Sequence, residues 1–140
     1  MSQLAEFIGN HLLLSLAFIS VFFLLIMILL NEKMQAFANV NTAQLTQLVN
    51  HQDAVVIDTR NADVFKQGHI VNAINIPLSD MNESLPAIKK LKGKTVIAYC
   101  VSGLSSKSAC KILIKSGVEN VFNLTGGINA WISEKLPVVK

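Results

Sequence analysis

Short apolar, β-branched runs that alternate with helix-like segments predict an α/β fold: a small parallel five-stranded sheet with helices on both faces, preceded by one transmembrane helix. Three observations carry this. Residues 54–58 (A-V-V-I-D) and 95–99 (T-V-I-A-Y) are continuous apolar runs of strand length, as strands buried on both faces show. The stretches between such runs are too long for hairpins and carry helix signals, so successive strands run parallel. Finally, Leu12–Leu30 is a 19-residue stretch without a charge. As a helix it would extend about 28 Å, against a hydrocarbon core of about 30 Å.

Taken in order, residues 37–40 form a first strand. Asn41 with Gln44 three positions on is a capping-box pattern opening a helix over 42–50. Residues 54–58 are the second strand, and 61–66 a short helix closed by Gly68. Residues 73–76 are a brief strand, 86–90 a helical piece, and 95–99 the central strand. A helix over 106–116 is stopped by Gly117, 121–124 is the last strand, and 128–134 the closing helix. About 100 residues organised this way make one domain. The expected division is a tail over 1–11, the transmembrane helix over 12–30, a linker over 31–38 and the domain over 39–140.

The chain is 51% hydrophobic, and the 12–30 stretch accounts for the excess. Two readings of it stand: a membrane anchor, or a secretory signal cleaved after the small-x-small sequence Ala36-Phe37-Ala38. The first ten residues hold no Lys or Arg, and the stretch exceeds the roughly 7 to 15 residues of a signal core, which favours the anchor. Only Lys33 flanks the span closely, so the positive-inside rule leans towards a single-pass protein with a cytoplasmic C-terminal domain. Two free thiols, Cys100 and Cys110, fit a reducing compartment, and two cysteines are too few for a disulfide framework.

Chemistry concentrates where the central strand ends. T-V-I-A-Y-C-V-S-G-L-S-S-K-S-A is strand, tight Ser/Gly loop and helix in succession, with Cys100 at the turn. Amides of such a loop and of the first helical turn lack partners within the helix and can converge on the sulfur. A helix N-terminus that lowers a thiol pKa from about 8.5 to about 6.5 raises the thiolate share at pH 7 from about 3% to about 75%. Cys100 is thus a candidate nucleophile, against the plainer reading of a small buried hydrophobe.

This segment resembles the active-site loop of the rhodanese-like sulfurtransferases, with Cys100, Ser102, Gly103 and Ser106 at matching positions. Upstream, V-V-I-D-T-R-N-A-D-V-F-K-Q-G-H-I-V-N-A-I-N-I-P is similar to the family's first signature, and G-V-E-N-V-F-N-L-T-G-G-I-N-A-W to its last. The resemblance implies that Cys100 takes sulfane sulfur as a persulfide and passes it to a thiophilic acceptor, with no metal or organic cofactor. It further implies substrate contacts from the amides of Val101, Ser102, Gly103, Leu104, Ser105 and Ser106 and from the hydroxyls of Ser102, Ser105 and Ser106.

Two positions depart from the family. Val101 and Ser105 stand where cations are common, so the loop carries none, and capture of a small dianion such as thiosulfate is expected to be weak. Lys107 is the nearest cation, either a substrate contact or part of a solvated stripe with Lys111 and Lys115. Arg60 either reaches the cleft or pairs with Asp58 or Asp63. His69 reads as a turn residue and Trp131 as core. The cluster Lys89, Lys90, Lys92 and Lys94 is a solvated turn or a contact for anionic headgroups of the lipid bilayer. From residue 39 onward there are 11 Lys/Arg and 7 Asp/Glu, but basic and aromatic residues do not interleave, which argues against nucleic acid. A phosphatase of similar fold would need Arg at the position of Ser106 to grip phosphate bidentately. The remaining rival is a membrane-tethered binding module with little turnover.

Overall fold

The computed structural model describes residues 11–33 and 36–140, and the second of its two compact units runs from Ala36 to Lys140. In the first unit, helix α1 spans Leu12–Lys33. Its window Leu12–Leu30 has mean hydropathy 3.0 and exposes apolar side chains all round, so it is long and apolar enough to cross a membrane. The helix outlasts the apolar stretch because Asn31, Glu32 and Lys33 are all compatible with helix; hydropathy marks where lipid-compatible residues end, not where backbone bonding ends. Of the expected tail over 1–11, residues 1–10 lie outside the described residues, as do 34 and 35 of the expected linker. The second unit begins three residues before the expected boundary at 39, with Phe37 buried in its core.

That unit contains, in order, β1 (Ala38–Val40), α2 (Thr42–Gln52), β2 (Val55–Asp58), α3 (Ala62–Gln67), β3 (His69–Ile70), β4 (Ile74–Asn75), a 3-10 turn (Leu78–Asp80), α4 (Leu85–Lys89), β5 (Thr95–Tyr99), α5 (Ser106–Lys115), β6 (Asn120–Leu124), α6 (Gly127–Ser133) and β7 (Val138–Val139). The capping box is formed: Gln44 N donates to Asn41 Oδ1 at 2.8 Å and Asn41 N to Gln44 Oε1 at 2.9 Å.

Five strands make a sheet in the order β1-β6-β5-β2-β4, and every neighbouring pair is parallel. The central position of β5 follows, and its residues Val96, Ile97, Ala98 and Tyr99 are fully buried. Alternation divides them between two faces. Val96 and Ala98 join Ile88 of α4 and Ala109, Cys110 and Leu113 of α5. Ile97 and Tyr99 join Leu45 of α2 and Ile128 and Trp131 of α6. Burying each large aliphatic side chain contributes about 1.5–3 kcal/mol. The chain departs from the sequence reading in a separate antiparallel ribbon, β3 with β7, pairing His69 with Val139 and Ile70 with Val138. Two-residue strands are too short to show a period, so this pairing is absent from the local pattern.

Candidate active site

Parallel strands bring all their carboxyl ends to one pole, the usual place for a ligand site in such sheets. Cys100 follows β5 there, and Asp58 closes β2 in register with Tyr99. Residue alternation places Cys100 on the α5 face, where it is only 3% exposed.

The loop after Cys100 is shaped from below. Ile128 N donates to Cys100 O at 2.9 Å and Asn129 N to Val101 O at 3.2 Å, so the N-terminus of α6 holds both carbonyls. In a trans peptide the N–H points opposite to the C=O, which turns the Ser102 amide towards the other side, where the sulfur lies. Gly127 permits this closeness, since a Cβ there would be 2.3 Å from Cys100 O. Gly103 has φ +82, and a Cβ on it would meet Leu124 O at 2.6 Å. Its amide donates to Cys100 Sγ at 3.1 Å, and Ser106 Oγ lies 3.3 Å from the same sulfur.

Burial pushes the Cys100 thiol up. In the anion, hydrogen bonds from the Ser105 and Ser106 hydroxyls and the Ser106 and Ser102 amides outweigh it, and the pKa is lowered to about 7. About half of such a thiol is thiolate at pH 7. Cys110, ten residues on, is wholly buried against Phe122 O at 3.5 Å, and burial pushes its thiol up to about 12. The two thiols of one helix-and-loop unit are thus shifted in opposite directions.

The loop residues come together as the sequence places them. Val101 and Leu104 are 48% and 71% exposed and form an apolar rim; Ser102 and Ser105 are exposed, Gly103 and Ser106 buried. Lys107 is half-buried and lines a hollow of about 150 Å³ with Ser102, Gly103, Leu104 and Asn123. Arg60 is engaged elsewhere. Its Nη2 donates to Asp58 Oδ2 at 2.6 Å and to Gly68 O at 2.7 Å, Nε donates to both Asp58 oxygens at 3.0 Å, and its guanidinium carbon lies 5.7 Å from the centre of the Tyr99 ring. Of its two sequence readings, these bonds fit the partner of Asp58. His69 Nδ1 donates to Phe65 O at 3.0 Å, and Trp131 is buried with Nε1 donating to Pro137 O at 2.9 Å.

Sequence reasoning missed Asn123. It lies in β6, 1% exposed, within hydrogen-bond reach of Ser106, Gly103 and Asn39. An amide inside the apolar run V-F-N-L was the available signal, because a buried polar group needs partners.

Comparison with known proteins agrees with this architecture. Protein YibN of Escherichia coli, described as uncharacterized, is 31% identical over 141 residues, covering 100% of this chain and 99% of its own. The thiosulfate sulfurtransferase GlpE of Coxiella burnetii is 30% identical over 95 residues, 68% of this chain and 87% of that one. A rhodanese-related protein from Thermoplasma volcanium superposes with a TM-score of 0.65 at 31% identity, over 74% of this chain and 98% of its own. The profile of the rhodanese-like domain matches residues 41–134, and the chain belongs to that family.

Proposed function

We propose that this protein is a membrane-anchored sulfurtransferase that carries sulfane sulfur as a persulfide on Cys100. The observation that carries the reading is the cradle: a sulfur at the end of the central strand, held by an amide at 3.1 Å, with a pKa lowered to about 7. In the first half of the cycle the thiolate attacks the outer sulfur of a donor R–S–SH. The donor S–S bond breaks, R–S⁻ leaves, and Cys100 becomes a persulfide. An acceptor thiolate then takes the outer sulfur and returns Cys100 as thiolate, so charge and atoms balance. Preorganised loop donors stabilise the anionic sulfur throughout.

The rim sets the donor class. Val101 and Leu104 offer apolar contact and the loop no cation, so larger donors such as glutathione persulfide or a protein persulfide gain binding energy that thiosulfate does not. Leu12–Leu30 is the anchor, and a reactive Cys100, which persists most easily in a reducing compartment, favours a cytoplasmic domain.

The test is mass spectrometry of the full chain in detergent after incubation with glutathione persulfide. A mass gain of one sulfur atom, mapped to Cys100 and removed by an acceptor thiol, is expected. Sulfur on Cys110, or none at all, overturns the reading, and the second result leaves a membrane-tethered binding module. Retention in the membrane fraction through high-salt and carbonate washes is expected alongside; recovery of a mature N-terminus at Asn39 would establish a cleaved signal.

A further inference from the structure

Asn123 Nδ2 donates to Gly103 O at 3.1 Å and to Asn39 Oδ1 at 3.0 Å. A backbone carbonyl only accepts, so the amide orientation is settled and Oδ1 is the atom that meets Ser106. Ser106 Oγ lies 2.6 Å from Asn123 Oδ1 and 3.3 Å from Cys100 Sγ. The hydroxyl has one hydrogen for two neighbours. Since Oδ1 has no hydrogen to give and the shorter contact is a strong O–H···O distance, the hydrogen belongs to the Asn123 side. Ser106 then presents a lone pair to the sulfur, which suits a thiol that can donate and opposes a thiolate that cannot.

We propose that Asn123 is a positioning residue for Cys100, holding the Ser106 hydroxyl hydrogen away from the sulfur until the sulfur becomes anionic. On ionisation the S–H proton leaves to solvent, the hydroxyl swings from Oδ1 to Sγ, and no bond to oxygen breaks. Asn123 thereby keeps Cys100 poised between thiol and thiolate near neutral pH, where an attacking thiol is most effective. The consequence for sulfur transfer rests on the reading of Cys100 as sulfur carrier; the geometry at the thiol does not.

Charged and titratable groups on the surrounding elements are Tyr99 on β5, Asp58 at the end of β2 with Arg60 after it, and Lys107, Cys110, Lys111 and Lys115 on α5. Substitution at Asn123 alters none of them. The experiment is the rate of Cys100 alkylation by iodoacetamide against pH, in the full chain, for wild type, Asn123→Ala, Ser106→Ala and the double variant. Asn123→Ala is expected to shift the midpoint down by about half a unit, making alkylation about threefold faster at pH 6. In the Ser106→Ala background the same change is expected to move nothing. A structural role alone would loosen the loop and raise the midpoint. A rise, no shift, or an equal shift in both backgrounds overturns the proposal. Asn39→Ala, which removes one anchor of the amide at a more exposed site, should shift the midpoint the same way by less; a rise or no shift there overturns it even if Asn123→Ala fails to fold. Alkylation needs no sulfur donor, so a chain that accepts no sulfur refutes the functional reading without deciding this one.

Discussion

The carboxyl ends of β2 and β5 are neighbours in register, yet they spend their polar groups in opposite ways. At the end of β2 a buried carboxylate and a guanidinium satisfy each other. Asp58 is fully buried and accepts from Arg60 N, Nε and Nη2, Gly68 O takes Nη2, and Asn75 Nδ2 donates to the carbonyls of Asp58 at 3.1 Å and Arg60 at 2.8 Å. After β5, residues 100–106 include no Lys, Arg, Asp or Glu, and the neutral Gly103 amide and Ser106 hydroxyl lie against one sulfur. Formal charge in a cleft is thus a poor guide to its chemistry. Capacity not yet committed to the fold is the better one, and it belongs to the uncharged loop.

Cys100→Ser tests the contrast most severely: it should abolish sulfur uptake and transfer to cyanide altogether, whereas Cys110→Ser should keep both. Equal loss in the two variants would erase the distinction between the thiols. Next in size is the β2 end. Asp58→Ala leaves Arg60 buried without its partner and should cost about 3–5 kcal/mol in urea unfolding followed by Trp131 fluorescence. Arg60→Gln should likewise destabilise while changing the thiosulfate KM less than twofold. A tenfold rise in KM with the fold intact would return Arg60 to substrate binding.

The pH profile follows. Thiolate is the deprotonated form, so alkylation of Cys100 quickens as pH rises through its pKa of about 7. That means about tenfold between pH 6 and 8 and a plateau above, while an ordinary thiol near 8.5 would still be climbing. A midpoint at the ordinary value would show that the cradle does not hold the anion. Smallest is the gain from charge. Val101→Arg or Ser105→Arg should raise kcat/KM for thiosulfate several-fold and make it salt-sensitive, because ions screen the added attraction. Variants that fold but gain nothing would mean that loop charge does not set donor choice.

Much of this was legible in the residues because the signals are local. The uncharged run over 12–30, the Asn41/Gln44 box, the buried run of β5 and the bend into α5 each complete their pattern within a few residues, and each appears where its pattern lies. Cys100 could be singled out for the same reason: strand end, glycine and helix start are contiguous. Tertiary structure decided what depends on pairing across the chain. Asn39 and Asn123 meet because β1 and β6 are adjacent in register, 84 residues apart in sequence. Arg60 had two available partners by sequence, and the position of Gly68 O beside Asp58 committed it to one arrangement. The β3–β7 ribbon depends on the C-terminal segment returning to His69 and Ile70. Periodicity and capping act through bonds between near neighbours, so composition along the chain encodes them; the orientation of one hydroxyl beside a thiol is set by groups that only the folded sheet brings within three ångströms or so of each other.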